Sequence, residues 1–337
     1  MSVTTASVTP ASANGETLLE VRDLTQEFYV RPRPGVLGGV VHAVSEVSLS
    51  LGAGEALGVV GETGCGKSTL ARSILQMPRP KSGEVRFHGT DLVSLRPKEL
   101  REARRRMQVV FQDPFSSLDP KMRVADIVQE PLVGRMGKDE RAERAEHMLN
   151  VVGLTPSRFA DRRPRQLSGG QCQRVAIARA LSVGPDLVVC DEPVSSLDVL
   201  VQAQILNLLE ELRTELHIAY LFISHDLAVV KQVSDRVAVM YLGRICEVAP
   251  TARLFDEPLH PYTAALLDAN PSVHARKGSG ARPATITGEP PSAVNPPSGC
   301  RFRTRCPLAQ ERCAAETPLL REIAAGRQVA CHFPLGS

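Results

Sequence analysis

Gly61-Glu62-Thr63-Gly64-Cys65-Gly66-Lys67-Ser68 follows the apolar run Ala56–Val60 and precedes a stretch of helical character. The octet fits G-x-x-x-x-G-K-[ST], and a strand before it with a helix after it is the context that this pattern demands. Gly61, Gly64 and Gly66 let successive backbone N–H groups turn inward around phosphate oxygens, and the helix N-terminus adds a dipole that favours anions. Lys67 is expected to reach the β- and γ-phosphates of a nucleotide, Ser68 to ligate Mg²⁺, and Thr69 to assist at the α-phosphate. Cys65 lies inside the loop, where its side chain reads as a small packing residue.

Two further apolar runs end in polar tips, and strand tips are where open α/β sheets bind ligands. Leu187-Val188-Val189-Cys190 leads into Asp191 and Glu192. Asp191 is placed to hold Mg²⁺, and Glu192 to orient or deprotonate an attacking water. Ile223 leads into Ser224, His225 and Asp226, with His225 a candidate contact to the γ-phosphate. Gln112 follows the run Met107–Phe111 and is a candidate ligand of Mg²⁺ or of the attacking water.

Around these tips, β-type runs alternate with amphipathic helical stretches, which argues for α/β layers. Core strands are predicted at Ala56–Val60, Met107–Phe111, Leu187–Cys190 and Ala219–Ile223. Glu20–Asp23 and Glu84–Phe87 read as a second, antiparallel layer, and Asp235–Tyr241 with Arg244–Val248 as a hairpin turning at Gly243. Helices are expected after Gly66, over Lys138–Val151 and over Val199–Leu216. The β signal disappears between Asp113 and Gln166, so that block reads as an inserted helical subdomain. Residues 1–16, rich in Ser, Thr and Ala, read as a disordered tail. Residues 271–299, rich in Pro, Gly and Ser, read as a linker or irregular extended segment.

The chain has 337 residues, 43% of them hydrophobic, enough for a large α/β domain and something smaller. A net charge of only +3 argues against a nucleic-acid coat, and the arginine runs at 104–106 and 162–165 read as solvated basic faces. No apolar run approaches the roughly 20 residues needed to span a bilayer, and no secretory signal is visible, so the protein is expected to stay in the cytoplasm. Of eight cysteines, Cys300, Cys306, Cys313 and Cys331 crowd the C-terminal end with the spacing C-x5-C-x6-C-x17-C. In a reducing compartment such a cluster points to metal rather than disulfides. The spacing matches neither common zinc ribbons nor the usual ferredoxins.

Leu167-Ser168-Gly169-Gly170-Gln171 matches the signature loop of ATP-binding-cassette ATPases letter for letter. With that resemblance the other motifs fall into the family's order over roughly residues 18–255. Gln112 sits where the Q-loop glutamine lies, Ser195-Ser196-Leu197-Asp198 resembles the D-loop, and His225 stands at the switch histidine. The resemblance implies a P-loop NTPase cassette core over 17–270, with an antiparallel β layer and a helical subdomain at about 113–166. It also implies that Ser168, Gly169, Gly170 and Gln171 face the γ-phosphate of ATP held by a second cassette, with Asp198 nearby. Adenine is expected to stack on an aromatic residue near the first strand, Phe28 in preference to Tyr29.

The run from Phe111 through Met122, the stretch His260-Pro261-Tyr262-Thr263 and the segment Pro296–Cys300 resemble dipeptide and oligopeptide importer ATPases. Residues 271–337 then correspond to that branch's small cysteine-containing extension, which in some members holds a four-iron four-sulfur cluster on four cysteines. For this chain the cluster, zinc and free thiols stay open. Arg301, Arg303 and Arg305 are candidates to offset cluster charge, and His332 reads as a neighbour. The resemblance implies an ATPase at the cytoplasmic face of the membrane. Its implied partners are a distinct second cassette subunit, two permeases and an extracytoplasmic solute-binding protein, with no nucleic acid. The cargo implied is dipeptides or oligopeptides, with nickel or another small solute as the alternative. A soluble cassette ATPase of translation or DNA repair would show a second cassette or a long coiled-coil insertion, and neither is visible.

Overall fold

The computed structural model describes residues 17–31, 38–270 and 288–336. The expected tail at 1–16 and most of the expected linker at 271–299 lie outside the described residues. Strands run in chain order as β1 (Thr17–Val30), β2 (Gly39–Gly52), β3 (Ala56–Val60), β4 (Ser82–Phe87), β5 (Thr90–Asp91), β6 (Met107–Val110), β7 (Leu187–Asp191), β8 (Ala219–Ile223), β9 (Arg236–Tyr241), β10 (Arg244–Pro250), β11 (Arg321–Ala324) and β12 (Arg327–Val329). Residues before 96 together with those after 223 form one compact unit, and residues 96–223 form another.

In the first unit, an antiparallel sheet runs in the order β2-β1-β4-β5. Leu19 and Val21 of β1 face the core, while Glu20 and Arg22, which alternate with them, form an ion pair at 2.6 Å. That alternation is what a half-buried strand requires. The sequence reading anticipated β1 only at Glu20–Asp23 and missed β2. Polar His42, Ser45, Glu46 and Ser48 interrupt β2, although Val47, Leu49 and Leu51 recur with period two and are buried. A second run of strands in this unit has the order β11-β12-β10-β9-β3. Every residue of β3 is buried, as in a parallel strand covered on both faces. The expected hairpin is present, with β9 and β10 antiparallel around Leu242 and Gly243. β12 pairs with β10 through Glu247 opposite Val329, so the C-terminal segment carries strands that its Pro-rich start did not suggest.

In the second unit, β6, β7 and β8 are parallel, with Met107 opposite Leu187 and Leu187 opposite Ala219. β7 and β8 are buried throughout. The block after Asp113 is helical as expected, with segments at Pro114–Ser117, Val124–Gln129, Lys138–Val151 and Pro156–Phe159. Helix Lys138–Val151 opens on Asp139 and Glu140, which suit the positive end of its dipole, and buries Ala145, Met148 and Leu149 along one face. A helix at Pro97–Arg105 precedes the block and was not anticipated. Arg105 and Arg106 pair with Glu102 at 2.6 Å and Asp186 at 2.5 Å.

The first unit also holds a buried ion pair between Arg236 and Glu55, at 2.9 Å. The second Glu55 oxygen accepts the Gly52 N–H at 2.6 Å. Arg236→Met should lower unfolding stability by about 3–5 kcal/mol, because it strands a buried carboxylate. Urea unfolding of the full chain measures this, and an unshifted midpoint would contradict it.

Candidate functional site

The loop after β3 is shaped by crowding from behind. A Cβ on Gly61, at φ 154°, would stand 2.0 Å from the Met240 carbonyl oxygen. One on Gly66, at φ 109°, would stand 2.1 Å from that of Ala43. Both positions therefore demand glycine for space as well as for backbone angle. Gly66 begins helix Lys67–Ile74 with no side-chain cap and no acid in its first turn, which leaves the positive end of that helix uncancelled. The Lys67 ammonium is buried and donates to the carbonyls of Gly61 at 2.8 Å and Glu62 at 3.1 Å. Ser68 and Thr69 follow in the first turn, both half-buried. The Cys65 side chain is buried, and burial pushes its thiol pKa up, which suits a packing residue.

Asp191 closes β7 and is buried, opposite Ile223 of β8. Glu192 comes next with φ 51°, a left-handed angle that is uncommon for a side-chain-bearing residue. Its N–H donates to the Ile223 carbonyl at 2.9 Å, and its own carbonyl accepts the Ser195 N–H at 3.3 Å and hydroxyl at 3.2 Å. This turn fixes the direction of the Glu192 side chain at a cost in backbone strain, a common arrangement at functional sites.

The same unit gathers three more predicted segments. Gln112 is exposed just after β6, and its carbonyl accepts the Ser196 hydroxyl at 3.1 Å. Ser168 caps helix Gly169–Leu181: its oxygen accepts the Gln171 N–H at 3.3 Å, and Gln171 Oε1 accepts the Ser168 N–H at 3.0 Å. This reciprocal capping box holds the start of the helix rigid. A Cβ on Gly170 would meet Val201 at 2.4 Å, and one on Gly169 would meet Leu197 at 3.3 Å. Asp198 caps the helix that carries Val201, accepting its N–H at 3.0 Å. Segments 112, 168–171 and 195–198 thus form one connected patch.

In the first unit, His225 is exposed after Ser224, ahead of helix Leu227–Val233. Phe28 is 41% and Tyr29 71% exposed near the end of β1. Phe28 is therefore not a core residue. As neighbours on a strand the two point to opposite faces, so only one can serve a given face.

Cys300, Cys306, Cys313 and Cys331 line one cavity of about 10 Å³, with Arg303, His332 and Phe333 beside them. Four thiols are soft donors suited to iron–sulfur or zinc. Among the described residues, however, no three His, Cys, Asp or Glu side chains form a group that could hold a metal ion. The expectation that three arginines offset a cluster needs correction, because only Arg303 lines this cavity. Arg301 donates to Ser45 at 2.9 Å and to the Leu242 carbonyl, and Arg305 pairs with Glu62 of the phosphate loop at 2.9 Å. Tyr262 also reaches the loop, its hydroxyl accepting the Glu62 N–H at 3.0 Å. Nothing in the sequence spacing revealed either contact, since Glu62 and its partners lie some two hundred or more positions apart.

The family model described as ABC transporter matches residues 44–195, and that described as the oligopeptide/dipeptide transporter C-terminal region matches 246–313. The oligopeptide transport ATP-binding protein AppF of Bacillus subtilis is 47% identical over 328 residues, covering 96% of this chain and 99% of its own. The di/tripeptide transport ATP-binding protein DppF of Pseudomonas aeruginosa is 46% identical, covering 94% and 98%. Among solved structures, a dimeric ATP-binding cassette in a post-hydrolysis state bound to ADP and Pi is 30% identical, with a TM-score of 0.60 over 69% of this chain and 98% of that one. The cbiO1 protein of Clostridium perfringens, part of the transporter complex cbiONQ, is 27% identical with a TM-score of 0.62, over 72% and 92%.

The matched C-terminal region ends at Cys313, inside the cysteine set. Burial pushes the thiols of Cys300 and Cys306 up and that of Cys331 to about 11. They are therefore protonated at neutral pH, and the thiolate is the reactive form. In metal-free protein, iodoacetamide should label these three far more slowly than a free cysteine at neutral pH, and faster as pH rises. Peptide mass spectrometry reads the rates; free-thiol rates at neutral pH would contradict the burial account.

Proposed function

Because this chain belongs to the ATP-binding-cassette transporter family, in its oligopeptide and dipeptide branch, we propose the following division of labour among its residues. The chain is the ATPase subunit of a peptide importer. What supports the reading most strongly is similarity to peptide-transport ATPases along nearly the whole chain, the C-terminal segment included.

The loop Gly61–Ser68 binds the triphosphate, with its backbone N–H groups and the Lys67 ammonium as donors. On ATP binding Lys67 exchanges the Gly61 and Glu62 carbonyls for phosphate oxygens, so its burial is never left uncompensated. Ser68, Asp191 and Gln112 each offer an oxygen donor of the kind Mg²⁺ prefers, and these residues would hold it. Mg²⁺ held there would neutralise charge on the phosphates. Glu192 takes the proton of the attacking water, and His225 contacts the γ-phosphate. Phe28 stacks on adenine. Ser168, Gly169 and Gly170 present a hydroxyl and the N-terminal N–H groups of their helix to an anion held by a second cassette. Asp198 keeps the adjoining helix in place.

Among the described residues no helix is long and apolar enough to cross a membrane, so the passage through the bilayer belongs to permease subunits. The assembly proposed is a heterodimer with a second cassette, two permeases and an extracytoplasmic binding protein, with this chain at the cytoplasmic face. The cysteines at 300, 306, 313 and 331 are proposed to hold a four-iron four-sulfur cluster that ties down the extension, with zinc as the alternative. Their lining of one cavity supports this. Iron and acid-labile sulfide measured on anaerobically purified protein test it; zinc without sulfide would end the iron–sulfur reading.

Glu192→Gln should keep ATP binding and slow phosphate release by about 10²–10⁴-fold, as expected on losing a general base. Lys67→Ala should weaken nucleotide binding itself. Turnover at the wild-type rate in Glu192→Gln would remove that residue from the role of base. Affinity purification from detergent-solubilised membranes should recover two permeases and a second cassette; ribosomal or DNA-repair partners alone would overturn the transport reading.

A further inference from the structure

We infer that Arg305 is a positioning residue for the nucleotide site, holding the phosphate loop in shape through Glu62. The C-terminal extension then takes part in ATP binding without touching ATP. The inference rests on the nucleotide reading above.

Glu62 is the second residue of the loop, and each of its polar groups is engaged. Its N–H donates to the Tyr262 hydroxyl at 3.0 Å, and its carbonyl accepts the Cys65 N–H at 3.2 Å and the Lys67 ammonium at 3.1 Å. Its carboxylate accepts from Arg305 at 3.0 and 2.9 Å. Two of these partners, Tyr262 and Arg305, lie downstream of the last nucleotide motif. Arg305 also donates to the Tyr241 hydroxyl at 3.3 Å. Tyr241 follows Met240, whose carbonyl crowds Gly61.

Arg305 is itself held in place. Phe302 is buried and packs edge-to-face against Tyr241 and at a tilt against Tyr262, with ring centres 5.3 and 5.2 Å away. The Arg305 N–H donates to the Phe302 carbonyl at 2.9 Å, forming a tight turn. Arg301, at the start of that turn, donates to Ser45 of β2 at 2.9 Å. The guanidinium is only 8% exposed and the Glu62 side chain 23%, so water screens their attraction little.

The electrostatic consequence is specific to this loop. A bare carboxylate at Glu62 would place a negative charge in a segment built to surround a triphosphate. Arg305 offsets that charge and fixes the direction of the side chain. Loss of Arg305 therefore both loosens the loop and adds a repulsion, whereas loss of the Glu62 charge only loosens it.

The test uses the purified full-length chain, a fluorescent ATP analogue and Mg²⁺. Arg305→Gln should weaken binding about tenfold, while Glu62→Gln and the double variant should both weaken it about threefold, the coupling expected of directly paired residues. In the assembled transporter the KM for ATP should rise in Arg305→Gln while kcat changes little. Additive losses in the double variant would mark a merely structural effect and overturn the inference, as would wild-type affinity in Arg305→Gln. If Arg305→Gln fails to fold, Glu62→Gln decides alone, and unchanged affinity there overturns the clamp. A wild-type chain that binds no ATP analogue would remove the nucleotide site and the clamp together. Wild-type binding with unaffected variants removes only the clamp.

Discussion

A loop that surrounds phosphate must turn its N–H groups inward, and this leaves its carbonyls and side chains to be accommodated from behind. Much of the first unit answers that requirement. Met240 and Ala43 bring carbonyl oxygens so close to Gly61 and Gly66 that no side chain fits. The Gly243 N–H donates to the Cys65 carbonyl at 2.8 Å, so the β9–β10 turn also braces the loop. The β2 strand, the β9 end and the C-terminal extension all converge on this one segment. A buried backbone polar group without a partner costs free energy comparable to a lost hydrogen bond, so these braces are a requirement of the loop's shape.

The chemistry-bearing positions were legible because each rests on local geometry that sequence encodes directly. The octet at 61–68 needs glycine at fixed points, and β3, β8 and β7 as far as Cys190 read as continuous apolar runs because both faces are covered. The capping box at Ser168 and Gln171 is likewise written in adjacent residues. Strand β2 was missed because its polar residues mask the period-two pattern of Val47, Leu49 and Leu51. Strands β11 and β12 are short, at four and three residues, too short for periodicity to register. The Arg305–Glu62 pair was illegible for another reason. It joins residues 243 positions apart, and an arginine beside cysteines suggests a nearer partner.

In the second unit the same tension between exposure and rigidity is resolved by strain and close packing. Glu192 accepts a left-handed backbone angle so that its side chain leaves the buried Asp191 strand at a fixed angle. Gly170 lies so close to Val201 that a Cβ would collide with it, and Gly169 lies against Leu197, so the start of their helix packs directly on the 195–201 segment. The Ser196 hydroxyl on the Gln112 carbonyl adds the third connection. A change in any of these segments is therefore felt by the other two.

The segment that follows β10 is built into the first unit by polar contacts as well as by rings. Glu247 of β10 is fully buried and accepts the N–H groups of Leu259 and His260, each at 2.9 Å. Burial still pushes its carboxyl up, so desolvation outweighs those hydrogen bonds. Burial also pulls His260 down to about 4, which keeps its ring neutral at physiological pH. A neutral ring has a nitrogen free to accept, and Nδ1 takes the Tyr262 N–H at 3.0 Å. Tyr262 is thereby aimed at the Glu62 N–H. A chain of hydrogen bonds runs from the β10 strand, through His260 and Tyr262, to the phosphate loop, and the Phe302 ring and Arg305 close it from the other side. The extension thus meets the phosphate loop through Arg305, with Phe302 packed behind it, and its strands share the sheet that braces that loop. An appendage added only to bind metal would need neither.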